Sequence, residues 1–402
     1  MSYQPSDESL RLSSLPPDQL ASELSAALEK AAAGSVVLSA LSGGVDSTVA
    51  TLLALRAIGT GLKVVTIDTG FLREGEAASV SRAFRELTGV GVEIDDEKAE
   101  FARSLGGISD AEEKRLAFRE TFYQVLRNRA QETGAQWLLQ GTIAPDWIET
   151  TGGIKTQHNV LGQMGVHTEE KYGFKLLEPL AYLYKDQVRA LGRFLGLPRE
   201  FVERQPFPGP GLLVRAPGEL VAQKLELARR ATPIVEEALA PLSPSQYFVA
   251  VFSRASRLGG RPILGAENWS FSERVTGVRG DARVYGKLLG VDVRSGTGVG
   301  DSSGDLESLY AARREMVLGL HDLAGDYTRI AIRTGAAEGG EGSWGYSLVI
   351  RAVSTADFMT ADVTDVPIEL LSEISSRLLR LDGVADVYYD ITPKPPATIE
   401  YE

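Results

Sequence analysis

Six consecutive residues, Ser42-Gly43-Gly44-Val45-Asp46-Ser47, constrain this chain more than any other stretch. An apolar run from Val36 to Leu41 leads into them, and an apolar stretch with helical spacing, Thr48 to Ala57, follows. Strand, glycine-rich turn and helix start, in that order, form the setting in which backbone amides cradle a phosphate. Paired glycines let the amides close on an anion because no Cβ stands in the way. Ser42 and Ser47 add hydroxyl donors, and Asp46 is an acid beside a predicted phosphate, which makes chemical sense when its carboxylate holds a magnesium ion. The competing reading is a plain helix cap, with Asp46 or Ser47 as the capping side chain.

Hydrophobic periodicity places this turn in an alternating pattern. Strands are predicted at about 35–41, 62–68, 90–95 and 136–140, and helices at 17–33, 47–58, 75–88 and 110–134. Near-continuous apolar strands between helices imply an α/β fold with a parallel sheet covered on both faces. Ligands of such sheets bind beyond the carboxyl ends of the strands. The glycine turn, Asp68-Thr69-Gly70 and Gln140-Gly141-Thr142 all fall at such ends. Residues 150–174 show no period and read as a loop or lid, and a helix follows at 185–196. Gln205-Pro206-Phe207-Pro208-Gly209-Pro210-Gly211 cannot lie inside a helix or strand, so it reads as a rigid bend. A second, smaller α+β domain is expected after it. Its predicted helices are 217–240, 304–324 and 366–381, and its strands are 246–252, 282–292, 327–333, 346–353 and 385–391. The expected segments are therefore 1–33, 34–215 and 216–402.

Composition excludes several functions. The 402 residues carry a formal charge of −12, which gives no general attraction to nucleic acid or to an anionic membrane. No segment has the length and apolarity of a membrane span, and a cytoplasmic address is expected. There is no Cys, so disulfides, thiolate metal sites and a cysteine nucleophile are all absent.

The turn lacks the Lys of a Walker loop and resembles the PP-loop of the N-type ATP pyrophosphatases, whose fold is of the Rossmann-like adenine nucleotide alpha hydrolase kind. The tail Tyr388-Tyr389-Asp390-Ile391-Thr392-Pro393-Lys394-Pro395-Pro396-Ala397-Thr398-Ile399-Glu400-Tyr401-Glu402 resembles the terminal signature of the GMP synthetases. Gln205 to Arg215 is similar to that family's hinge, and Gly141-Thr142 with Pro145-Asp146 and Ile148-Glu149 to its post-strand loop. Lys155-Thr156-Gln157-His158-Asn159 is similar to its lid. Glu178-Pro179-Leu180 with Lys185-Asp186 and Val188-Arg189, and also Met359-Thr360-Ala361-Asp362, match it as well.

This resemblance implies that ATP adenylates XMP, that pyrophosphate leaves, and that ammonia displaces AMP to give GMP. It further implies that Ser42 to Ser47, Asp68, Gly70, Leu72, Gly141 and Thr142 bind ATP, with Mg²⁺ on Asp46. Lys185 and the lid residues Lys155 and His158 are the implied catalytic side chains beside Asp46. Arg115, Asp281, Lys394, Thr398, Ile399 and Glu400 are the implied XMP ligands. The family's C-terminal domain builds a dimer, which makes a homodimer the expectation.

Three departures qualify the match. The lid has Gln157 where the family has a first His, and Gln cannot exchange a proton near neutral pH. The hairpin that begins at Gly280-Asp281 resumes at Gly345, which implies an insertion at about 287–344. Only 41 residues precede the loop, and no Cys exists to serve a glutaminase, so ammonia is expected free or from a separate glutaminase subunit. Two alternatives stay open: a relative that aminates another purine nucleotide, and a weakly catalytic nucleotide-binding scaffold for an amidotransferase.

Overall fold

The structure, a computed structural model, describes residues 11–12, 14–144, 146, 168–259, 267–280, 282–292, 313–319, 326–337, 345–355 and 359–402. Lys155, Gln157, His158 and Asp281 lie outside the described residues, as does much of the expected insertion. The chain divides into two units of nearly equal length. One holds residues 1–105 and 115–209, and the other holds 106–114 and 210–402. The division at 209/210 falls inside the proline-glycine stretch, a few residues before the boundary expected at 215.

The first unit is built on five parallel strands: β1 (Val37–Ala40), β2 (Leu62–Asp68), β3 (Glu93–Asp96), β4 (Trp137–Leu139) and β5 (Lys175–Leu177). Their order, β3-β2-β1-β4-β5, reverses direction between β1 and β4. That reversal opens a crevice at the carboxyl ends of these two strands. Helices α1 (Pro17–Ala32), α2 (Val45–Ile58), α3 (Glu76–Thr88), α4 (Lys98–Leu105), α5 (Ala111–Thr133), α6 (Thr168–Tyr172), α7 (Lys185–Phe194) and α8 (Arg199–Val202) connect or flank the strands. The helix expected at 17–33 is α1, and its Leu20, Leu24 and Leu28 pack with Val49 and Leu53 of α2 and Leu191 of α7. Burial of this apolar face supplies most of the stability of such a helix.

The second unit contains a mixed sheet of eight strands. They are β6 (Gln246–Ser253), β7 (Ser256–Arg257), β8 (Glu267–Arg279), β9 (Ala282–Asp292), β10 (Tyr327–Ala336), β11 (Tyr346–Ser354), β12 (Asp362–Val363) and β13 (Val384–Asp390). The main path runs β12-β11-β13-β10-β9-β8-β7, with β6 antiparallel to β11. Helices α9 (Ala222–Leu239) and α11 (Ile368–Leu378) pack on the sheet, and α10 (Arg313–Gly319) belongs to the same unit. Within the expected insertion, β10 pairs parallel with β9 and antiparallel with β13. The core is aromatic. Phe252 meets Tyr401 edge-on at 5.2 Å, and Phe271 meets Tyr388 at 5.1 Å.

The 13-residue strand β8 has no counterpart among the expected elements. Its inward face carries Trp269, Phe271, Glu273 and Val275, and the buried Glu273 interrupts the apolar alternation. Lys224 of α9 neutralises that carboxylate at 2.7 Å, a partner that no local pattern reveals.

Candidate active site

In the first unit, Gly44 occupies the N-cap of α2 with extended backbone (φ −74°, ψ 153°) and makes no side-chain capping bond. Asp46 and Ser47 therefore lie inside the first turn, and the plain-cap reading is corrected. The opening amides of that turn have no intrahelical acceptors and carry the positive end of the helix dipole. Gly43 adopts φ +78°, and a Cβ on it would sit 2.4 Å from Val80 Cγ2 of α3. A network of hydroxyls fixes the loop from within. Ser42 Oγ and Ser47 Oγ lie 2.9 Å apart, Ser47 and Thr48 hydroxyls donate to Gly44 O, and Thr66 Oγ1 donates to Leu41 O at 2.6 Å.

The loop after β4 closes on the loop after β1. A Cβ on Gly141 would stand 2.7 Å from both Asp46 C and Ser47 N. Thr142 Oγ1 donates to Glu178 Oε1 at 2.6 Å, and the Ile143 amide donates to Asp146 Oδ2 at 3.0 Å. Asp46 Oδ2 accepts from Lys185 Nζ at 2.5 Å. Asp46 Oδ1 is buried and has no hydrogen-bond partner among the described residues. Burial pushes the Asp46 carboxyl above its ordinary range, Lys185 pulls it back by charge and hydrogen bond, Asp146 adds to the rise and Arg189 opposes it. Glu178 is raised too, chiefly by burial, with the Thr142 bond opposing. A buried, unpaired carboxylate oxygen beside phosphate-ready amides suits a hard cation that prefers oxygen ligands. No group of three acidic or histidine side chains gathers there among the described residues, so such a cation would take further ligands from phosphate and water.

Asp68, at the end of β2, accepts from the Gly70 amide and from Lys98 Nζ, both at 3.0 Å. It shapes the turn that carries Gly70 (φ +82°) and the half-buried Leu72. Three contributors are absent from the site residues that the sequence suggests. Arg189 stands one turn beyond Lys185 on the same face of α7, and its Nε is buried without a partner among the described residues. Asp146 acts by charge on both Asp46 and Glu178, and Glu178 holds the Thr142 hydroxyl. The signal for Arg189 is its four-residue spacing from Lys185. Glu76 also matters, because it binds the Arg73 amide and Arg204, and Arg73 in turn covers the Phe207 ring at 4.0 Å.

Arg115 is 6% exposed and lies on α5 in this first unit. The remaining described acceptor candidates lie in the second unit. Lys394 exchanges two backbone bonds with Ala361, at 2.8 and 3.0 Å. The Glu400 carboxylate is held by buried Arg215 at 3.0 Å and by Gln246 at 2.6 Å. Thr398 Oγ1 accepts from Arg329 at 2.7 Å, and the Thr398 and Ile399 carbonyls accept from Arg351 at 2.9 and 2.8 Å. Lys114 Nζ binds Glu402, as well as the carbonyls of Ala216 and Gly218. The catalytic candidates Lys155 and His158, and the acceptor candidate Asp281, lie outside the described residues.

Residues 17–198 match the PP-loop domain, and residues 328–401 match the GMP synthase C terminal domain. The chain is 44% identical to one subunit of the glutamine-hydrolyzing GMP synthase of Sulfurisphaera tokodaii, over 97% of this chain and 100% of that one. The same subunit from Saccharolobus solfataricus is 43% identical over 96% and 99% of the two chains. That of Archaeoglobus fulgidus is 39% identical over 90% and 92%. Similarity at this level across both units means that the chain belongs to the GMP synthase family, with this subunit of the glutamine-hydrolyzing enzyme.

Proposed function

We propose that the chain is the synthetase subunit of a two-subunit GMP synthase, an ammonia-using, ATP-dependent carbon–nitrogen ligase. In the first step O2 of XMP attacks the α-phosphate of ATP, and the bond to pyrophosphate breaks. In the second, ammonia adds at C2 of the adenylated base, AMP leaves with the oxygen, and a proton is lost from nitrogen. The observation that carries this reading is Asp46. Its buried oxygen, without a partner among the described residues, lies in the first turn of α2, at the β1/β4 crevice, with Lys185 at 2.5 Å on its other oxygen.

Pyrophosphate is the better leaving group the more its gathering charge is met by fixed donors. The amides of Gly43 to Ser47, Lys185 and Arg189 supply that positive potential. Asp46 would hold Mg²⁺, which when bound offsets charge on the phosphates. Asp68, Gly70, Leu72, Gly141 and Thr142 border the adenosine, Lys155 stabilises the adenylate, and His158 accepts a proton from ammonia or orients it. For XMP the assigned ligands are Arg115, Asp281, Lys394 and the segment Thr398 to Glu400. Since the Glu400 carboxylate is occupied by Arg215 and Gln246, that residue serves through its amide. Ammonia comes from a separate glutaminase subunit, a reading supported by relatives that are one subunit of a glutamine-hydrolyzing enzyme, and the C-terminal unit forms a homodimer.

The test is product analysis of the purified chain with ATP, Mg²⁺ and XMP. Ammonium should yield GMP, AMP and pyrophosphate, and glutamine alone should yield none. GMP formed from glutamine alone would refute the need for a partner, and intact XMP in the ammonium reaction would refute the acceptor.

A further inference from the structure

Two arginines with no exposed surface, Arg329 of β10 and Arg351 of β11, stand behind the C-terminal tail. Arg351 donates to three carbonyls: Nη1 to Thr392 O at 2.9 Å, Nη2 to Thr398 O at 2.9 Å and Nε to Ile399 O at 2.8 Å. Arg329 Nη2 donates to Glu400 O at 2.6 Å, and its Nε to Thr276 O at 3.1 Å. A planar trans peptide points its C=O and the following N–H in opposite directions. Carbonyls drawn inward at Thr398 and Ile399 therefore turn the N–H groups of Ile399 and Glu400 outward. Both residues are partly exposed, and neither N–H meets an acceptor among the described residues.

Charge reinforces the orientation. Asp390 lies 3.2 Å from Arg329 and 3.0 Å from Arg351, and it also accepts from Tyr401 OH at 2.8 Å. One carboxylate thus faces two guanidiniums, while Glu400 is matched by Arg215. Among these named side chains one positive charge stays unbalanced behind the outward amides, in a buried setting that salt screens weakly.

We propose that Arg351, seconded by Arg329, is a positioning residue for the acceptor's phosphate: it holds the Ile399 and Glu400 amides outward as a phosphate seat backed by unbalanced positive charge. The inference rests on the XMP reading above and adds which residues set the affinity for its phosphate. A nucleoside without a phosphate should not sense them.

The experiment uses the full chain, with XMP and xanthosine as probes. Arg351→Lys keeps the charge, but one ammonium cannot reproduce the planar fork that grips three carbonyls. The XMP dissociation constant should rise about tenfold or more, the usual value of a charge-assisted hydrogen bond. Xanthosine affinity, the KM for ATP and kcat at saturating XMP should each stay within about threefold. Equal weakening of XMP and xanthosine would overturn the assignment, because an arginine that merely braces the fold predicts it. The wild-type protein offers a second measurement that needs no variant. Hydrogen exchange at the Ile399 and Glu400 amides should slow with XMP and not with xanthosine. XMP turnover with unchanged exchange at saturating XMP refutes the arginine assignment alone, whereas wild-type protein that neither binds nor consumes XMP refutes the acceptor reading and this inference with it.

Discussion

Gly141→Ala tests the geometry of the crevice at a single methyl group. The added Cβ would stand 2.7 Å from Asp46 C and Ser47 N, and 2.9 Å from Asp46 O. Ordinary contact begins near 3.4 Å, so the two loops must part by about 0.7 Å. No rotamer relieves the clash, because each of these atoms is backbone in the first turn of α2. Overpacking of this kind costs about 1–3 kcal/mol. For a unit of this size that lowers the melting temperature by roughly 2–4 °C per kcal/mol. The larger effect is on chemistry, since the displaced atoms belong to Asp46 and Ser47. A misplacement near 1 Å costs on the order of 100-fold in rate, so kcat/KM for ATP should fall about 10- to 100-fold. The assay is pyrophosphate release against ATP concentration, with XMP and ammonium saturating, run well below the variant's own melting temperature. The KM for XMP should move by less than about threefold, since Gly141 is not among the assigned XMP ligands. A variant within threefold of wild type in kcat/KM for ATP would refute the claim that Gly141 sets the spacing of the two loops.

Two further outcomes follow from the same contacts. Gly43→Ala brings a Cβ to 2.4 Å from Val80 Cγ2 and asks alanine for φ +78°, a left-handed strain of about 1–2 kcal/mol. Adding Val80→Ala removes the clash and leaves the strain, so the double variant should recover part of the ATP turnover lost by Gly43→Ala. Strictly additive losses would argue against the contact. Burial alone would raise Asp390, but the charges of Arg351 and Arg329 and the bonds from Thr392 outweigh it and hold the carboxyl below its ordinary value. A depressed carboxyl contributes stability that is fully present above its unfolded value near 3.8 and is lost as pH falls through its folded value. Asp390→Asn should therefore cost about 3–5 kcal/mol in urea unfolding at neutral pH, because both guanidiniums lose their counter-charge. The gap to wild type should narrow only below that unfolded value. A gap that closes at higher pH would contradict the depressed carboxyl.

What is legible in the sequence is local. Val36 to Leu41, the glycine turn and Thr48 to Ala57 each declare their conformation within a few residues, and β1, the loop and α2 lie where that pattern puts them. The strand-end rule likewise places Gly141 beside the glycine turn, and the two loops do meet at the Asp46 backbone. Local pattern fails where a charge is buried by a distant partner. Glu273 hides β8 because Lys224, 49 positions away, neutralises it. Arg329 and Arg351 sit in the apolar runs of β10 and β11, where period-two alternation alone assigns a charge to solvent. A signal is nonetheless present. Every residue of β11 from Ser347 to Val353 is buried, and an arginine inside so apolar a stretch demands acceptors. The tail is the source of those acceptors: one carboxylate from Asp390 and carbonyls from Thr392, Thr398, Ile399 and Glu400. Its residues are therefore constrained twice. The carbonyls of Thr392, Thr398, Ile399 and Glu400 and the carboxylates of Asp390 and Glu400 are committed to buried arginines. That commitment turns the Ile399 and Glu400 amides outward, where, with Lys394, they can meet an anionic nucleotide.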